Sequence, residues 1–321
     1  MKKIAFITSG GDAPGMNAAI RAIVKTCLYY NIVPFGIYDG YQGMMEGRGK
    51  QLNYSDVDNI IQYGGTILGS ARAKEFFQVE GRQKAISFLK ENNIDGLIVI
   101  GGDGTFAGAH LLGQEMKIPI IGIPGTIDND IYGTDYTIGF DTAINTVITA
   151  VDKIRDSASS HHRVFFVEVM GRDAGFIALS SAVASGAESV LVPEETTDIL
   201  ELVNNIKNQG KHGSIILVAE GDDAGHAIDI MNKVKPYLKE YELRISVLGH
   251  IQRGGSPSAK DRIVATRMGN LAVELLIENK TNLTVGINGD TLETCSISEA
   301  IKKHTMPDMT FLKLIEVLRT K

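Results

Sequence analysis

Short apolar runs alternate with amphipathic stretches along this chain, and the alternation predicts its elements. Ile4 to Thr8 has the length of a strand, and Ser9-Gly10-Gly11-Asp12 after it reads as a tight loop. Pro14 stands where the first turn of a helix accepts proline. Ala18, Ala19, Ala22, Ile23 and Cys27 give that helix an apolar face, with Arg21 and Lys25 four residues apart on its outside. Those two cations suit a solvated face, or a stripe that holds a phosphate. A second strand falls near Ile32 to Tyr38, followed by a glycine-rich segment and GGTILGSAR (Gly64 to Arg72). The amphipathic run Arg82 to Asn92 precedes the most apolar strand, Gly96 to Ile100. GGDGT (Gly101 to Thr105) opens a helix that runs to about Met116. Ile118 to Ile123 is short and β-branched enough for a buried parallel strand. Such a strand delivers the turn PGTIDND (Pro124 to Asp130) to the carboxyl edge of a sheet, where α/β proteins bind ligands.

The second half repeats the alternation. Asp141 is expected to cap a helix whose Ile144, Val147, Ile148, Val151 and Ile154 fall at helical spacing. SSHHR leads into a strand from Val164 to Val169; further strands are expected near Ser189, Ser214 to Ala219 and Ile245, with helices through Leu202 and Met231. GHIQRGGSP (Gly249 to Pro257) precedes a long helix from about Ser258. The pattern predicts an α/β fold: two three-layer αβα domains with mostly parallel sheets, a change of domain near residue 140, and an active site in the cleft between them.

Composition narrows the function. A chain of 321 residues is long enough for a large core and two domains, and its 44% hydrophobic and 22% charged residues are ordinary for a globular protein. The 35 glycines follow no repeat and fit ligand loops. A net charge of −6 argues against nucleic acid as the main partner, so any bound anion must be met by local arginines and lysines. Cys27 and Cys295 show no metal-ligand spacing and read as small buried hydrophobes in a reducing compartment. The chain begins directly on a strand, without a signal peptide, and no apolar run reaches the length of a membrane span. A cytoplasmic protein with no membrane partner is expected.

Several constellations carry chemistry. In PGTIDND, Asp128 can take a proton from a hydroxyl while Asp130 helps hold a divalent cation; the alternative is that both bond their own turn, as Asp often does. GGDGT lies between strand and helix, where glycines let backbone approach a phosphate and the helix N-terminus offers N–H groups. Asp103 within it suits magnesium. With Ala107 the run also meets a loose dinucleotide pattern, but the acidic residue expected after the next strand is replaced by the PGT turn. No Walker A loop is present. TSGGD (Thr8 to Asp12) is a second phosphate-sized loop. Arg72 suits bridging phosphates during transfer, or, alone, a surface position. Arg163, Arg172, Arg244, His250 and Arg253 each stand just before or after a predicted strand, on one side, where their forks could hold phosphate. Glu220 suits a sugar hydroxyl, or a loop.

TSGGDAPGMNAAIR, GGTILGSAR, GGDGT, PGTIDND, VMGR and GHIQRGGSP occur together, in this order and spacing, in a known family. Across nearly the whole chain, thinning beyond about residue 280, the sequence resembles the bacterial ATP-dependent 6-phosphofructokinases (phosphofructokinase A family). The resemblance implies transfer of the ATP γ-phosphoryl group to O1 of fructose 6-phosphate, the committed step of glycolysis. It implies an ATP-binding domain over 1–139, completed by about 252–302. A fructose-6-phosphate domain over 140–251 would be completed by a C-terminal helix over about 303–321.

By the same resemblance Asp128 is the base for the sugar 1-hydroxyl, with Thr126, Arg172 and Arg72 acting on the transferring group. Gly11, Arg72, Ala73, Gly102, Asp103, Gly104 and Thr105 would bind ATP, and Asp103 and Asp130 would serve Mg2+. Arg163, Arg244, His250 and Arg253 would hold the 6-phosphate. Met170 and Glu220 would hold the sugar, in a site that Ile127, Gly171, Ile251 and Gln252 also line. Arg163 and Arg244 would reach across a subunit interface in a homotetramer. Pyrophosphate-using relatives carry Asp in place of Gly104 and Lys in place of Gly125, so glycine at both favours ATP. An effector site for ADP or GDP, or for phosphoenolpyruvate, would use Arg21, Lys25, Arg155, Gly186, Glu188, Lys211 and Gly213. Tyr54, Gln209 and Gly213 stand where the best-known members have cations, so blunted allosteric control is expected, each lost charge-assisted bond being worth roughly 1.5–3 kcal/mol. A non-catalytic sensor on the same fold, another GGDG-containing kinase and a dehydrogenase remain the alternatives.

Overall fold

The computed structural model describes residues 1–161, 163–209 and 213–319, with backbone alone for 159–161. His162 of the SSHHR run and the effector candidate Lys211 lie outside them. The chain divides into two compact units. The first comprises Met1–Ile127, Ile131–Thr142 and Arg253–Thr305; the second comprises Asp128–Asp130, Ala143–Gln252 and the chain from Met306 on. The first unit thus runs past residue 139, and the end of PGTIDND groups with the second.

In chain order the first unit contributes β1 (Lys3–Thr8), α1 (Met16–Tyr29), β2 (Val33–Ile37), α2 (Gly40–Met45), β3 (Gly49–Gln51), α3 (Val79–Glu91), β4 (Gly96–Gly101), α4 (Asp103–Glu115) and β5 (Ile120–Pro124). Helix α5 (Phe140–His161) carries the chain into the second unit, which holds β6 (Arg163–Val169), α6 (Phe176–Ser185), β7 (Ser189–Leu191), α7 (Ile199–Asn208), β8 (Ser214–Ala219), α8 (Ala227–Val234) and β9 (Glu242–Val247). The chain returns through α9 (Ala259–Ile277), β10 (Leu283–Asn288), β11 (Thr291–Ser296) and α10 (Ile297–Ala300), and closes with α11 (Thr310–Leu318).

The first unit's seven strands run in the order β11-β10-β5-β4-β1-β2-β3; only the two outer pairs are antiparallel. Strands β4 and β5 throughout, and β1 between Lys3 and Thr8, are apolar because helices cover both faces. Ala5, Ile7, Leu97, Val99 and Ile120 share a core with Tyr41 and Met44 of α2, Ala85 and Leu89 of α3, and Phe106 and Leu112 of α4. Alternate residues Ile4, Phe6, Ile98, Ile100, Ile121 and Ile123 are fully buried on the other face. Helices α1 and α9 lie there, with Leu276 of α9 against Gly96 and Met16 of α1 against Gly125. Phe106 explains the glycine inside β5, since a Cβ at Gly122 would lie 2.7 Å from its ring. The second unit's sheet, β7-β8-β6-β9, is wholly parallel. Val164, Phe166, Ile216 and Val218 of that sheet pack on Leu202, Ile206, Ile230 and Val234 of α7 and α8.

Several local expectations are corrected. Pro14 lies before α1 and not in its first turn, because Gly15 at the N-cap is left-handed (φ 109°) and a Cβ there would meet Ile138 at 2.7 Å. Asp141 lies in the first turn of α5, which starts at Phe140, so it does not cap that helix. Asp261 of α9 takes the task, accepting the Gly139 and Thr142 N–H groups at 2.8 Å each. Cys27 is buried, its thiol pushed up to about 12 by desolvation, but Cys295 is only partly buried beside Thr284.

Gly122→Val is expected to lower stability by about 1–3 kcal/mol through overpacking against Phe106. Urea unfolding measures it, and Phe106→Leu in the same chain should recover part of the loss; an unchanged midpoint in the single variant would contradict this packing.

Candidate active site

Three loops of the first unit leave the same sheet edge. Parallel pairing aligns Thr8 with Ile100 and Gly101 with Pro124, so Ser9–Gly15, Gly102–Thr105 and Gly125–Ile127 begin side by side. The ladder continues into the loops: Ser9 N–H donates to Ile100 O at 3.0 Å, and Gly125 N–H to Gly101 O at 3.0 Å. Thr105 Oγ1 donates to Ser9 O (3.1 Å), and the Tyr41 hydroxyl donates to Thr105 O (2.6 Å). Burial pushes the Tyr41 phenol up, so it stays a neutral donor. Sequence reasoning passed over Tyr41 because its partner lies 64 residues away.

At the start of α4, Asp103 accepts the Gly104 N–H at 2.7 Å. Gly104 has ordinary backbone, and a Cβ there would meet nothing within 4 Å. Internal packing therefore gives no reason for glycine at this point, whereas close approach of a ligand does. Gly101 differs: a Cβ would fall 2.3 Å from Thr105 Oγ1. The GGTILGSAR loop is tied in through Thr8 Oγ1 donating to Gly69 O (2.7 Å) and through Asn17. The Asn17 side chain, 1% exposed, donates to Tyr63 and Gly64 carbonyls and accepts the Ile67 N–H. Arg72 at the end of this loop is exposed, and Ala73 beside it is buried. Arg253 lies on the TSGGD loop, donating to Asp12 O at 3.3 Å, and a Cβ on Gly11 would meet its Nη1 at 2.5 Å.

In the second unit, the carboxyl ends of β6, β8 and β9 carry Met170–Arg172, Glu220 and Gly249–Gln252. Asp128 groups here, 1% exposed, with Oδ2 3.5 Å from Arg172 Nε. Arg172 holds a left-handed backbone (φ 54°), a conformation that costs a side-chain-bearing residue about 1–3 kcal/mol. Glu220 holds it there by accepting the Arg172 N–H at 2.9 Å. Gly221 lets the turn approach, since a Cβ would lie 2.1 Å from Arg172 O. Gln252 is fully buried: its Oε1 accepts the Met170 N–H (3.2 Å) and its Nε2 donates to Gly249 O (3.0 Å). Its side chain thus organises backbone, whereas His250 and Ile251 beside it are exposed. Of the first unit's predicted residues, Thr126 is buried, with its carbonyl accepting from Thr137 Oγ1 at 2.5 Å, and Ile127 is fully buried. Asp130 is partly exposed.

Within the second unit, Arg163 and Arg244 do not lie at the sheet end that carries Arg172. Arg163 is the first residue of β6, roughly 20 Å from its carboxyl end at the usual rise per residue. Arg244 lies inside β9, in register with Phe165, and not beside a strand. Both guanidiniums pair with Glu242 (Arg163 Nε at 2.9 Å) and, Arg163 foremost, hold its carboxyl below the usual range.

The effector candidates fall in two groups. In the first unit, Lys25 lies 3.5 Å from Asp58 and 5.6 Å from the Tyr54 ring centre, with Arg21 partly exposed on the same helix. In the second, Arg155 pairs with Glu188 at 2.7 Å and donates to the Ser185 and Gly186 carbonyls, while Gly213 is partly exposed. Glu188 also accepts the Ile215 N–H, and Gln209 is buried and accepts from Ser214.

The family model described as Phosphofructokinase matches residues 3–276. ATP-dependent 6-phosphofructokinase 2 of Bacteroides thetaiotaomicron is 52% identical over 305 residues, covering 94% of each chain. ATP-dependent 6-phosphofructokinase 1 of Thermus thermophilus is 50% identical over 321 residues, covering 99% of each. Among solved structures, phosphofructokinase from Saccharomyces cerevisiae superposes with a TM-score of 0.89 at 35% identity, covering 94% of this chain and 45% of the yeast chain. A pyrophosphate-dependent phosphofructokinase from Marinobacter aquaeolei shares the fold, with a TM-score of 0.85 at 21% identity. A match over most of the chain, and relatives at half identity along its full length, establish that this chain belongs to the phosphofructokinase family.

Proposed function

We infer that this protein transfers the γ-phosphoryl group of ATP to O1 of D-fructose 6-phosphate, giving fructose 1,6-bisphosphate and ADP. The observation that carries the chemistry is Asp128, a carboxylate almost wholly withdrawn from water with a guanidinium 3.5 Å away. A carboxylate within hydrogen-bond reach of a hydroxyl can serve as its general base, and Arg172 sets a positive charge beside this one. Asp128 takes the proton of the O1 hydroxyl, O1 bonds to the γ-phosphorus, and the bond from that phosphorus to the bridging oxygen of ADP breaks. Arg172 and Thr126 meet charge on the transferring group, as donors aimed at a phosphoryl group do.

The first unit, with its helix N-terminus and glycine loops, suits ATP, and the second suits the sugar phosphate. Arg163 and Arg244 stand at and near the amino ends of strands, far along β6 from Arg172, which supports their service in a neighbouring subunit's site and a homotetramer. No helix among the described residues is long and apolar enough to cross a membrane, in keeping with a cytoplasmic glycolytic role. Asp103 and Asp130 are the carboxylates we assign to Mg2+. Among the described residues no three His, Cys, Asp or Glu side chains cluster as a metal cage, which fits an ion that takes one or two carboxylates plus water and phosphate oxygens. When bound, the ion neutralises phosphate charge.

Effector control is expected to be blunted. Lys25 and Arg155 already have carboxylate partners, Asp58 and Glu188, and Tyr54 adds a ring where a further cation would strengthen an anion site. If micromolar phosphoenolpyruvate raises the half-saturating sugar concentration many-fold, this proposal fails.

A coupled assay with fructose 6-phosphate tests the reaction. Turnover is expected with ATP and magnesium, not with pyrophosphate, and it should vanish with excess chelator. Turnover with pyrophosphate would overturn the donor, and no turnover with either would favour a sensor. Gly104→Asp should leave unfolding unchanged, because its Cβ meets open space, yet cut ATP-dependent kcat/KM by about a hundredfold, some 2.7 kcal/mol. Unaltered ATP kinetics in the folded variant would contradict the role given to Gly104.

A further inference from the structure

Asp261 lies outside every motif that carries the proposed reaction, yet it is 3% exposed and satisfied entirely by groups of one distant segment. Its Oδ1 accepts the Gly139 N–H and its Oδ2 accepts the Thr142 N–H, both at 2.8 Å; the Thr142 hydroxyl donates to Oδ2 as well. That hydroxyl in turn accepts the Ser258 N–H at 2.9 Å, and Ser258 Oγ accepts the Asp261 N–H at 3.1 Å. These bonds lock the start of α9 to the start of α5.

The segment so held lies directly behind the catalytic turn. Ile138 N–H donates to Pro124 O at 2.9 Å, Ile138 bridges Gly125 as a parallel strand does, and Thr137 Oγ1 donates to Thr126 O at 2.5 Å. Gly139 (φ 105°) packs so closely that a Cβ would lie 2.7 Å from Ala13 and 3.2 Å from Ile127. Gly15 is pinned from the other side, between Ile138 and Asp261 itself. Residues 137–139 are therefore a splint: one side bonds Pro124 and Thr126 and pairs with Gly125 between them, ending two residues short of Asp128, and the other end is fixed by Asp261.

We propose that Asp261, acting through Thr142 and the 137–139 segment, is a positioning residue that sets the Pro124–Asp128 turn and with it the aim of the Asp128 carboxylate. It touches no reacting atom. A base displaced by a fraction of an ångström still sits in a folded protein with its substrates bound, but the proton transfer slows. This inference rests on Asp128 being the base of the proposed reaction, so wild-type turnover is measured first; its absence removes that reading before the variants are judged.

The test compares Asp261→Asn, Thr142→Val and Thr142→Ser in the full chain. Asn keeps the volume but turns an amide NH2 toward donors; Val keeps the shape of Thr142 without its hydroxyl; Ser keeps the hydroxyl. The expected result is a fall in kcat of about ten- to a hundredfold for Asn and Val, with KM for both substrates within about threefold. Thr142→Ser should restore kcat to within about twofold, a rescue that a purely structural role would not require. Circular dichroism and thermal melting establish that each variant is folded at the assay temperature. Folded Asn or Val variants with wild-type kcat, whatever their melting temperature, overturn the proposal, as does a Ser variant as slow as Val. Should Asp261→Asn not fold, the Val and Ser pair decides alone.

Discussion

Parallel register between β1, β4 and β5 is the constraint on which the first unit's site depends. Backbone pairing puts Thr8, Gly101 and Pro124 at one edge, and the ladder extends past β1 and β5 by one further bond each, from Ser9 and from Gly125. Three loops must then leave together, and two glycines of the GGDGT stretch stand in different surroundings. Gly101 has no room for a side chain beside Thr105 and Ser9, while Gly104 has room to spare. Helix α4 is seated by Phe106 in the hollow left by Gly122, so its N-terminus is aimed by core packing and not by the loop alone.

The second unit solves a different problem. A buried carboxylate and a guanidinium must be held near one another although neither geometry is cheap. Arg172 occupies a backbone region that most residues avoid, and the strain is absorbed by Glu220, Gly221 and the fully buried Gln252, which between them bond or admit the Met170–Arg172 turn. Residues that resemblance assigns to sugar binding thus also build the backbone on which the sugar site stands. Arg163 and Arg244, at the other end of the same sheet, are held by Glu242 and belong to a different surface of the chain.

Much of this architecture was legible in the sequence. Continuous apolar runs such as Ile4 to Thr8 and Gly96 to Ile100, punctuated by glycine, have few alternatives to buried parallel strands, and their loops follow at known places. What escaped was non-local or polar. Strand β11 escaped because Thr291–Ser296 is a partly exposed, polar edge with no apolar alternation. Asp141 looked like a helix cap because caps are sought next to the helix, whereas Asp261 supplies the acceptor from 119 residues away. Ser258 and Asp261 do carry a local signal, Ser followed three residues later by an acid at a helix start, but nothing local shows where the acid's other bonds go. Adjacency to a strand likewise does not say which end of the sheet a residue reaches, and that is why Arg163 and Arg244 were grouped with Arg172.

The central claim is that Asp128, desolvated and steadied by Arg172, is the base that activates the sugar hydroxyl. Its most direct test is the turnover number of Asp128→Ser, alongside fructose 6-phosphate affinity by titration calorimetry. The account predicts a loss of about 10²–10⁴ in kcat with affinity changed only a few-fold. Turnover that survives the substitution in a folded chain would contradict it.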